Sequence, residues 1–133
     1  MFAKRGGRHT NNVQLGRFGR NRTNVWDYPG VAGRRDELAM HPTVKPTAMV
    51  ADAIKDVTPL EGLVLDPFGG SGSTLLAAEG CGRSARLIEL DPRYCDLIIR
   101  RFEAATGEDA RLEQTSERFS LVSEIRLEWE GLE

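Results

Sequence analysis

The sequence predicts an α/β fold, a partial parallel sheet with flanking helices, and three features of its middle part indicate it. Residues 63–65 form an apolar run short enough for a buried strand, and a glycine-rich turn follows directly. Residues 85–90 form a second strand pattern after a run of helix formers, and Asp91 and Pro92 then open another helical pattern. This order predicts a βαβ unit, in which parallel strands are joined by a right-handed crossover.

Helices are predicted before and between these strands. Residues 47–57 place apolar side chains at helical spacing after Pro46, a residue that the first helical turn tolerates. Residues 74–79 are strong helix formers, and the glycines that follow them, Gly80 and Gly82, favour a helix end. The segment between the strands is therefore predicted to be the crossover helix.

The C-terminal part is predicted to be helical and charged. Asp91 is placed as the N-cap and Pro92 as the first residue of a long helix that Gly107 ends. Beyond it we expect a short strand near residues 110–112 and a helix over residues 117–127, with fraying at the chain end.

Composition is that of a globular protein of one modest domain. The 133 residues are 40% apolar and carry a formal net charge of -2. No apolar stretch is long enough to span a membrane, and the basic start lacks the apolar core of a secretory signal. The two cysteines, Cys81 and Cys95, are too few for a disulfide framework or a zinc site. We therefore expect free buried thiols, no metal site and a cytoplasmic location.

Charge is distributed unevenly along the chain. Residues 1–35 hold eight Lys or Arg residues and one acid, Asp27, whereas the rest holds ten Lys or Arg residues and nineteen acids. The first segment is also rich in Gly and Asn, so we predict a flexible or irregular basic arm. Such an arm either neutralises the phosphates of double-stranded DNA or binds nothing. The α/β portion is then expected over residues 36–112 and a charged helix or tail over residues 113–133.

An aromatic pair lies inside the basic arm. Residues 24–29 are predicted to form a short extended segment that ends at a proline turn, with Trp26 and Tyr28 two residues apart. These rings either pack against the domain or stack on a nucleic-acid base, and we favour packing.

Candidate binding chemistry lies directly after the first strand. Ligands of an open parallel sheet bind beyond the carboxyl ends of its strands. The glycines of residues 69–72 allow a tight turn and the close approach of a ligand to outward-pointing amides. Asp66 argues against a phosphate ligand, because the two negative charges would repel, and it favours a positive amine or sulfonium. The turn also lacks the Gly-Lys-Ser/Thr sequence of a phosphate-binding P-loop.

A second acid, Glu89, ends the next predicted strand 23 residues after Asp66. An acid at this place in a βαβ unit can accept hydrogen bonds from both hydroxyls of a ribose. One acid for an amino group and one for a ribose predict an aminoacyl nucleoside as the ligand. The alternative is a turn that only closes the strand–helix connection, with Glu89 as a cap or exposed.

Three stretches resemble the N6-adenine and N4-cytosine DNA methyltransferases of the permuted, or β, class, and their order is specific to that family. Residues 66–74, DPFGGSGST, look like the family's motif for S-adenosylmethionine (SAM), and residues 41–46, HPTVKP, resemble the element before it. Residues 88–94, IELDPRY, resemble the next motif, whose acid holds the ribose. The stretch NVWDYP at residues 24–29 also resembles phage and plasmid methylases that carry a ParB-like domain.

This resemblance implies a Rossmann-like SAM-dependent methyltransferase fold with SAM as the cofactor. The cofactor-binding residues that it implies are Thr43, Lys45, Asp66, Phe68, Gly69, Gly70, Ser71 and Glu89. Glu89 would hold the ribose, Thr43 and Lys45 the methionine end, and the others the methionine part, although Lys45 alternatively braces its loop. His41 is expected to be a loop residue bonded to backbone and not a catalytic base.

The family's catalytic motif, Asp/Asn-Pro-Pro-Tyr/Phe/Trp, holds a flipped-out base and is absent from this sequence. In the permuted group it lies upstream of the three stretches, as does the region that reads DNA. We therefore expect the C-terminal part of a longer or split enzyme, inactive by itself, with double-stranded DNA and a complementary methyltransferase chain or a second copy as partners. The alternatives are a SAM-dependent methyltransferase for a small molecule or protein, and a non-catalytic module that binds DNA or a partner chain.

Overall fold

A computed structural model describes Asn12, residues 25–29 and residues 44–130, the last five of these by their backbone alone. These residues form four helices and two strands in the order α1, β1, α2, β2, α3 and α4. Their bounds are Thr47–Val57 for α1, Leu63–Asp66 for β1, Ser73–Gly80 for α2, Ser84–Leu87 for β2, Pro92–Thr106 for α3 and Phe119–Glu130 for α4. The predicted βαβ unit is therefore present as β1, α2 and β2.

Strands β1 and β2 pair in parallel, with Val64 opposite Ala85 and Asp66 opposite Leu87. The crossover between them is α2, because parallel neighbours cannot be joined by a tight hairpin. The predicted fold class, a partial parallel sheet with flanking helices, is confirmed.

The core lies between one face of this sheet and the first two helices. Ile54 of α1 and Ala77 and Ala78 of α2 are buried together. Val64 and Ala85, from the paired strands, pack against them. Small alanines let α2 approach both α1 and the sheet closely, so the end of β1 and the start of α2 are held in one rigid block.

The opposite face of the sheet is exposed, which corrects the prediction of a buried strand. Leu63 is 62% exposed and Leu65 is 66% exposed. Successive side chains of a strand point to opposite faces, so Val64 faces the helices while its two neighbours face away from them. Within the described ranges, no element covers that second face.

Strand β2 ends at Leu87, three residues earlier than predicted. The Ile88 N–H still donates to the Asp66 carbonyl at 2.9 Å, and the Ile88 carbonyl accepts from Gly69 N–H at 2.9 Å. The backbone after β2 therefore pairs with the turn after β1 and leaves the regular ladder. Glu89 consequently lies in this connection and not in the strand.

The bounds of α1 and α3 agree with those predicted from the sequence. Helix α1 has the predicted bounds, and Pro46 directly before it is its N-cap. In α3, Asp91 is the N-cap that accepts from Arg93 N–H, and Gly107 ends the helix with a φ of 76°, both as predicted. Helix α2 starts one residue before the predicted bound.

The end of α2 differs from the prediction. Gly80 is its last residue and not the residue that stops it, since Cys81 is the C-cap. Gly82 follows with a φ of 70° and donates its N–H to the Glu79 carbonyl.

The C-terminal part contains less strand than predicted. A single antiparallel bridge joins Arg111 and Arg118 where a short strand was expected. Helix α4 begins two residues after the predicted start and extends to Glu130. Its first residue, Phe119, is buried beneath the Arg100 guanidinium, which lies 5.9 Å from the ring centre. This cation–π contact attaches α4 to α3.

Two described positions of the predicted basic arm contact α1. The Asn12 side-chain amide donates to the carbonyls of Lys55 and Thr58, at 2.8 and 2.9 Å, and so caps the end of the helix. The Tyr28 hydroxyl donates to Asp52 Oδ2 at 2.5 Å. Trp26 lies beside Tyr28, with 6.4 Å between the ring centres. These contacts favour packing for the aromatic pair; most other residues of the predicted arm lie outside the described ranges.

Both cysteines are free thiols, as predicted, but Cys81 and Cys95 are half-buried and not fully buried. No helix in the described ranges is long and apolar enough to cross a membrane.

Candidate functional site

The glycine-rich turn lies at the carboxyl end of β1 and leads directly into α2. Gly70 and Gly72 have φ values of 54° and 77°, which side chains other than glycine rarely adopt. A Cβ atom added at Gly69 or at Gly72 would lie 3.0 Å from the Ile98 side chain of α3. The turn therefore needs glycine for its backbone angles and for its close packing on α3.

Asp66, the last residue of β1, has both carboxylate oxygens in hydrogen bonds. Its Oδ1 accepts from Phe68 N–H at 3.0 Å, and its Oδ2 accepts from the Thr74 hydroxyl at 2.6 Å. The first bond shapes the start of the turn and the second reaches the first turn of α2. The carboxylate orientation is thus fixed from both sides of the turn.

Glu89 joins the ends of the two strands through backbone amides. Its Oε2 accepts from Gly70 N–H at 2.7 Å, and its Oε1 accepts from Leu90 N–H at 2.8 Å and from Asp91 N–H at 3.0 Å. The N–H groups of Asp91, Gly70 and Leu90 hold the pKa of Glu89 below its usual range. A carboxylate has about four acceptor positions, so these three bonds leave room for a hydroxyl donor from a ligand.

Asp91 and Arg93 form a separate pair at the start of α3, in which the Arg93 side chain is exposed and Asp91 is half-buried. Arg93 Nη2 lies 2.7 Å from Asp91 Oδ2, and Arg93 N–H donates to Asp91 Oδ1 at 2.9 Å. These bonds from Arg93 lower the pKa of Asp91, and the carboxylate raises the pKa of Arg93. The pair fixes the backbone immediately after Glu89.

Two serine hydroxyls connect the turn to the segment before α1. Ser71 Oγ lies 3.1 Å from Ser73 Oγ, and Ser73 Oγ donates to the Lys45 carbonyl at 3.1 Å. The Lys45 carbonyl thereby links this segment to the turn, while the Lys45 side chain is exposed beside the turn.

These groups enclose an open cavity of about 280 Å³, close to the lower end of the usual size of a ligand site. Its lining residues are Lys45, Asp66, Phe68, Gly69, Gly70, Ser71, Ser73, Thr74 and Glu89. Seven of the eight residues predicted to bind a cofactor lie here, and the eighth, Thr43, lies outside the described residues together with His41.

Ser73 and Thr74 belong to the cavity but were not among the predicted site residues. The signal for them is present in the sequence, because hydroxyl residues that follow a glycine turn lie at a helix N-terminus close to the preceding acid. Thr74 meets that acid, Asp66, across the turn.

The charges of the lining favour a ligand with positive charge. Two carboxylates, Asp66 and Glu89, face one ammonium group, Lys45, and Phe68 adds an aromatic ring that is 85% exposed. A polyphosphate would meet both carboxylates at close range. Within the described part of the chain, no cluster of three or more His, Cys, Asp or Glu residues could hold a metal ion.

Known methyltransferases resemble this chain in sequence. The family model described as DNA methylase matches residues 4–100. The type II methyltransferase M.ScaI of Streptomyces caespitosus is 40% identical over 91 residues, which are 65% of this chain and 30% of the relative. The DNA adenine methyltransferase YhdJ of Escherichia coli K12 is 39% identical over 83 residues, 62% of this chain and 28% of the relative.

A solved structure, that of the M1.HpyAVI–SAM complex, is also similar. It matches with a TM-score of 0.50 and 30% identity, over 62% of this chain and 42% of the other. The chain spans about 30% of the length of the curated relatives it matches.

Proposed function

This chain belongs to the DNA methylase family, and on that premise we propose that its cavity binds SAM as the methyl donor. The observation that carries the proposal is that Asp66, at the end of β1, and Glu89, two residues after the parallel strand β2, line one cavity with the glycine turn. The solved relative with a TM-score of 0.50 is a complex with SAM, which supports the same ligand. The permuted motif order and the likeness to methylases with a ParB-like domain stay predictions.

The proposed roles follow the chemistry of the ligand. Glu89 accepts from a ribose hydroxyl with the acceptor position that its three backbone bonds leave open. Asp66, Phe68, Gly69, Gly70 and Ser71 surround the methionine part, while Thr43 and Lys45 contact the methionine end. SAM carries a sulfonium, an amine and a carboxylate and is positive overall. The excess of carboxylates over ammonium groups in the lining supports this choice.

We propose that the methyl group goes to an exocyclic amine of double-stranded DNA, either N6 of adenine or N4 of cytosine. The relatives, a DNA adenine methyltransferase among them, support a DNA substrate. The basic residues 1–35 are proposed to add contacts to phosphates. Binding of a labelled duplex that does not weaken as salt rises would contradict this part.

The proposed reaction needs a base-holding motif from outside these 133 residues, because no Asp/Asn-Pro-Pro-aromatic tetrapeptide occurs in them. A complementary methyltransferase segment or chain can supply it, whereas a second copy of this sequence brings none. The exposed Leu63 and Leu65 face is consistent with such a partner. We also propose a cytoplasmic location, which suits the two free thiols.

Calorimetric titration with SAM tests the proposed ligand. The full chain is expected to bind SAM and not ATP, because the two carboxylates repel a triphosphate. A variant with both Asp66→Asn and Glu89→Gln keeps the side-chain sizes and removes both charges. We expect it to bind SAM roughly 100-fold more weakly, since two charge-assisted hydrogen bonds are lost.

The control is Glu79→Ala, which removes an exposed carboxylate of α2 outside the cavity lining and should leave SAM affinity unchanged. SAM binding that is indifferent to the double substitution contradicts the site. A folded, unmodified chain that gives no heat with SAM contradicts the proposed ligand.

A further inference from the structure

Arg101 of α3 contacts the glycine turn outside the cavity. Its Nη1 donates to the Ser71 carbonyl, yet Arg101 lies outside the residues that line the cavity. Ile98, one helical turn earlier, contacts the same stretch where Gly69 and Gly72 leave no space for a side chain. Helix α3 therefore supports the turn with one apolar and one charged contact.

With the Arg101 bond, both the N–H and the carbonyl of one peptide group in the turn are hydrogen-bonded. In the peptide between Ser71 and Gly72, the N–H of Gly72 donates to the Gly69 carbonyl at 2.9 Å, while the Ser71 carbonyl accepts from Arg101. Rotation of this peptide would break both bonds. It would also turn the Ser71 carbonyl to where the Gly72 N–H now points, toward the Gly69 carbonyl, and the two oxygens would repel each other.

Hydrogen bonds made by two hydroxyls connect Ser71 to the segment before α1. A hydroxyl has a single hydrogen to donate, and that of Ser73 goes to the Lys45 carbonyl. The Ser71 hydroxyl must then be the donor to Ser73 in their 3.1 Å contact. Ser71 and Ser73 are 5% and 6% exposed, so water does not compete for these bonds. A displaced Ser71 would break the bond between the two hydroxyls.

Arginine suits this position better than lysine. Its guanidinium stays protonated, is planar and is less strongly hydrated than an ammonium, so it keeps a directed donor in a half-buried place. The neighbouring Arg100 points elsewhere, to the Phe119 ring.

We propose that Arg101 is a positioning residue that keeps the glycine turn in the shape that receives the ligand. It touches no ligand itself and acts through Ser71. The expected effect on affinity rests on the proposed SAM function, but the effect on the turn does not.

Hydrogen exchange measured by NMR on the full chain without ligand tests the effect on the turn. In Arg101→Met, which keeps an unbranched apolar stem and removes the guanidinium, the Gly70 and Gly72 amides should exchange about tenfold faster, as expected for loss of one charge-assisted bond. Amides of α1 should exchange at the original rate. The matched control, Arg100→Met, removes the same charge from the same helix and should leave Gly70 and Gly72 unchanged.

SAM affinity gives the second readout. Arg101→Met should weaken binding about tenfold, Arg101→Lys should weaken it less, and millimolar guanidinium should restore part of the loss in Arg101→Ala. A merely structural loss would not be restored by a small cation. If Arg101→Met does not fold, Arg101→Lys carries both measurements.

Two outcomes overturn the proposal: exchange at Gly70 and Gly72 that stays within about twofold of the original, or acceleration spread equally over α1. If the unmodified chain binds no SAM, the proposed function fails while hydrogen exchange still decides the role of Arg101.

Discussion

Asp66 ends β1 and Glu89 lies two residues after β2, and these two acids are held in different ways. Asp66 accepts one backbone N–H and one side-chain hydroxyl, from Phe68 and Thr74. Glu89 accepts three backbone N–H groups, those of Gly70, Leu90 and Asp91. Glu89 thus organises the chain around it, whereas Asp66 is oriented by a side chain of the following helix. The conformation of the chain after β2 therefore depends on the charge of Glu89, and the conformation after β1 depends on the backbone geometry of the turn.

The largest effect is expected where the turn meets α3, because that contact supports both strand ends. Gly72→Ala places a Cβ atom 3.0 Å from Ile98 on a backbone with a φ of 77°. We expect a loss of about 2 kcal/mol in the free energy of unfolding, from strain and steric conflict together. Urea denaturation followed by circular dichroism measures it.

Gly80→Ala is the matched control for that substitution. Nothing lies within 4 Å of the added atom, and Gly80 is the last residue of α2, so the change should be neutral or stabilising by up to about 1 kcal/mol. Equal losses for Gly72→Ala and Gly80→Ala would show that close packing on α3 does not matter.

An intermediate effect is expected at Thr74, because a substitution there changes the hydrogen bonds of Asp66 and leaves those of Glu89 in place. Thr74→Val keeps the shape and removes the hydroxyl that donates to Asp66 Oδ2, so we expect a loss of about 1 kcal/mol. Thr74→Ser keeps the hydroxyl and should retain most of that contribution. Chemical denaturation of the two variants provides the measurement, and a Ser variant as unstable as the Val variant would refute the role of the bond.

The smallest effect is expected at Glu89, where Glu89→Gln keeps an acceptor oxygen and removes the charge. Backbone N–H groups lower the pKa of Glu89 from its ordinary value of 4.5, so its charged form stabilises the fold above that pH. This contribution is lost as the pH falls through the lowered pKa. The difference in unfolding free energy between the original chain and the variant should be constant from about pH 7 to pH 5 and shrink below about pH 4.5.

For comparison, Asp91→Asn removes a carboxylate whose ordinary pKa of 3.8 is lowered by Arg93. Its difference from the original chain should begin to shrink only below about pH 3.8, whereas that of Glu89→Gln begins to shrink below about pH 4.5. A Glu89→Gln difference that is the same in acid as at neutral pH would mean that the amides do not depend on the charge.

Local signals in the sequence were sufficient for the bounds of α1, for the ends of α3 and for the position of the cavity. The apolar spacing of residues 47–57 gave α1 its bounds, and Asp91 and Gly107 marked the ends of α3, because capping depends on residues that are close in sequence. Asp66 and Glu89 were placed at one edge of the sheet because carboxyl ends of parallel strands lie side by side.

Contacts between distant residues could not be obtained in this way. The exposure of Leu63 and Leu65 depends on how many layers cover the sheet, which an apolar run does not reveal. The early end of β2 depends on the bond of Ile88 to the turn after β1. The contact of Arg101 with Ser71 joins residues thirty positions apart, and a helical pattern gives no sign of it.

The sequence by itself determined the βαβ order, the glycine turn, the two acids and the family to which they belong. Each of these depends on short-range chemistry: periodicity, capping and the backbone freedom of glycine. The tertiary structure alone decided that Glu89 binds Gly70 across the strand ends and that α3 supports the turn through Ile98 and Arg101. The Glu89–Gly70 bond joins the segments that follow the two strands, and the Ile98 and Arg101 contacts come from the packing of α3 against the turn. The crossover connection brings these residues together although they are far apart in the sequence, and sequence spacing does not encode such contacts.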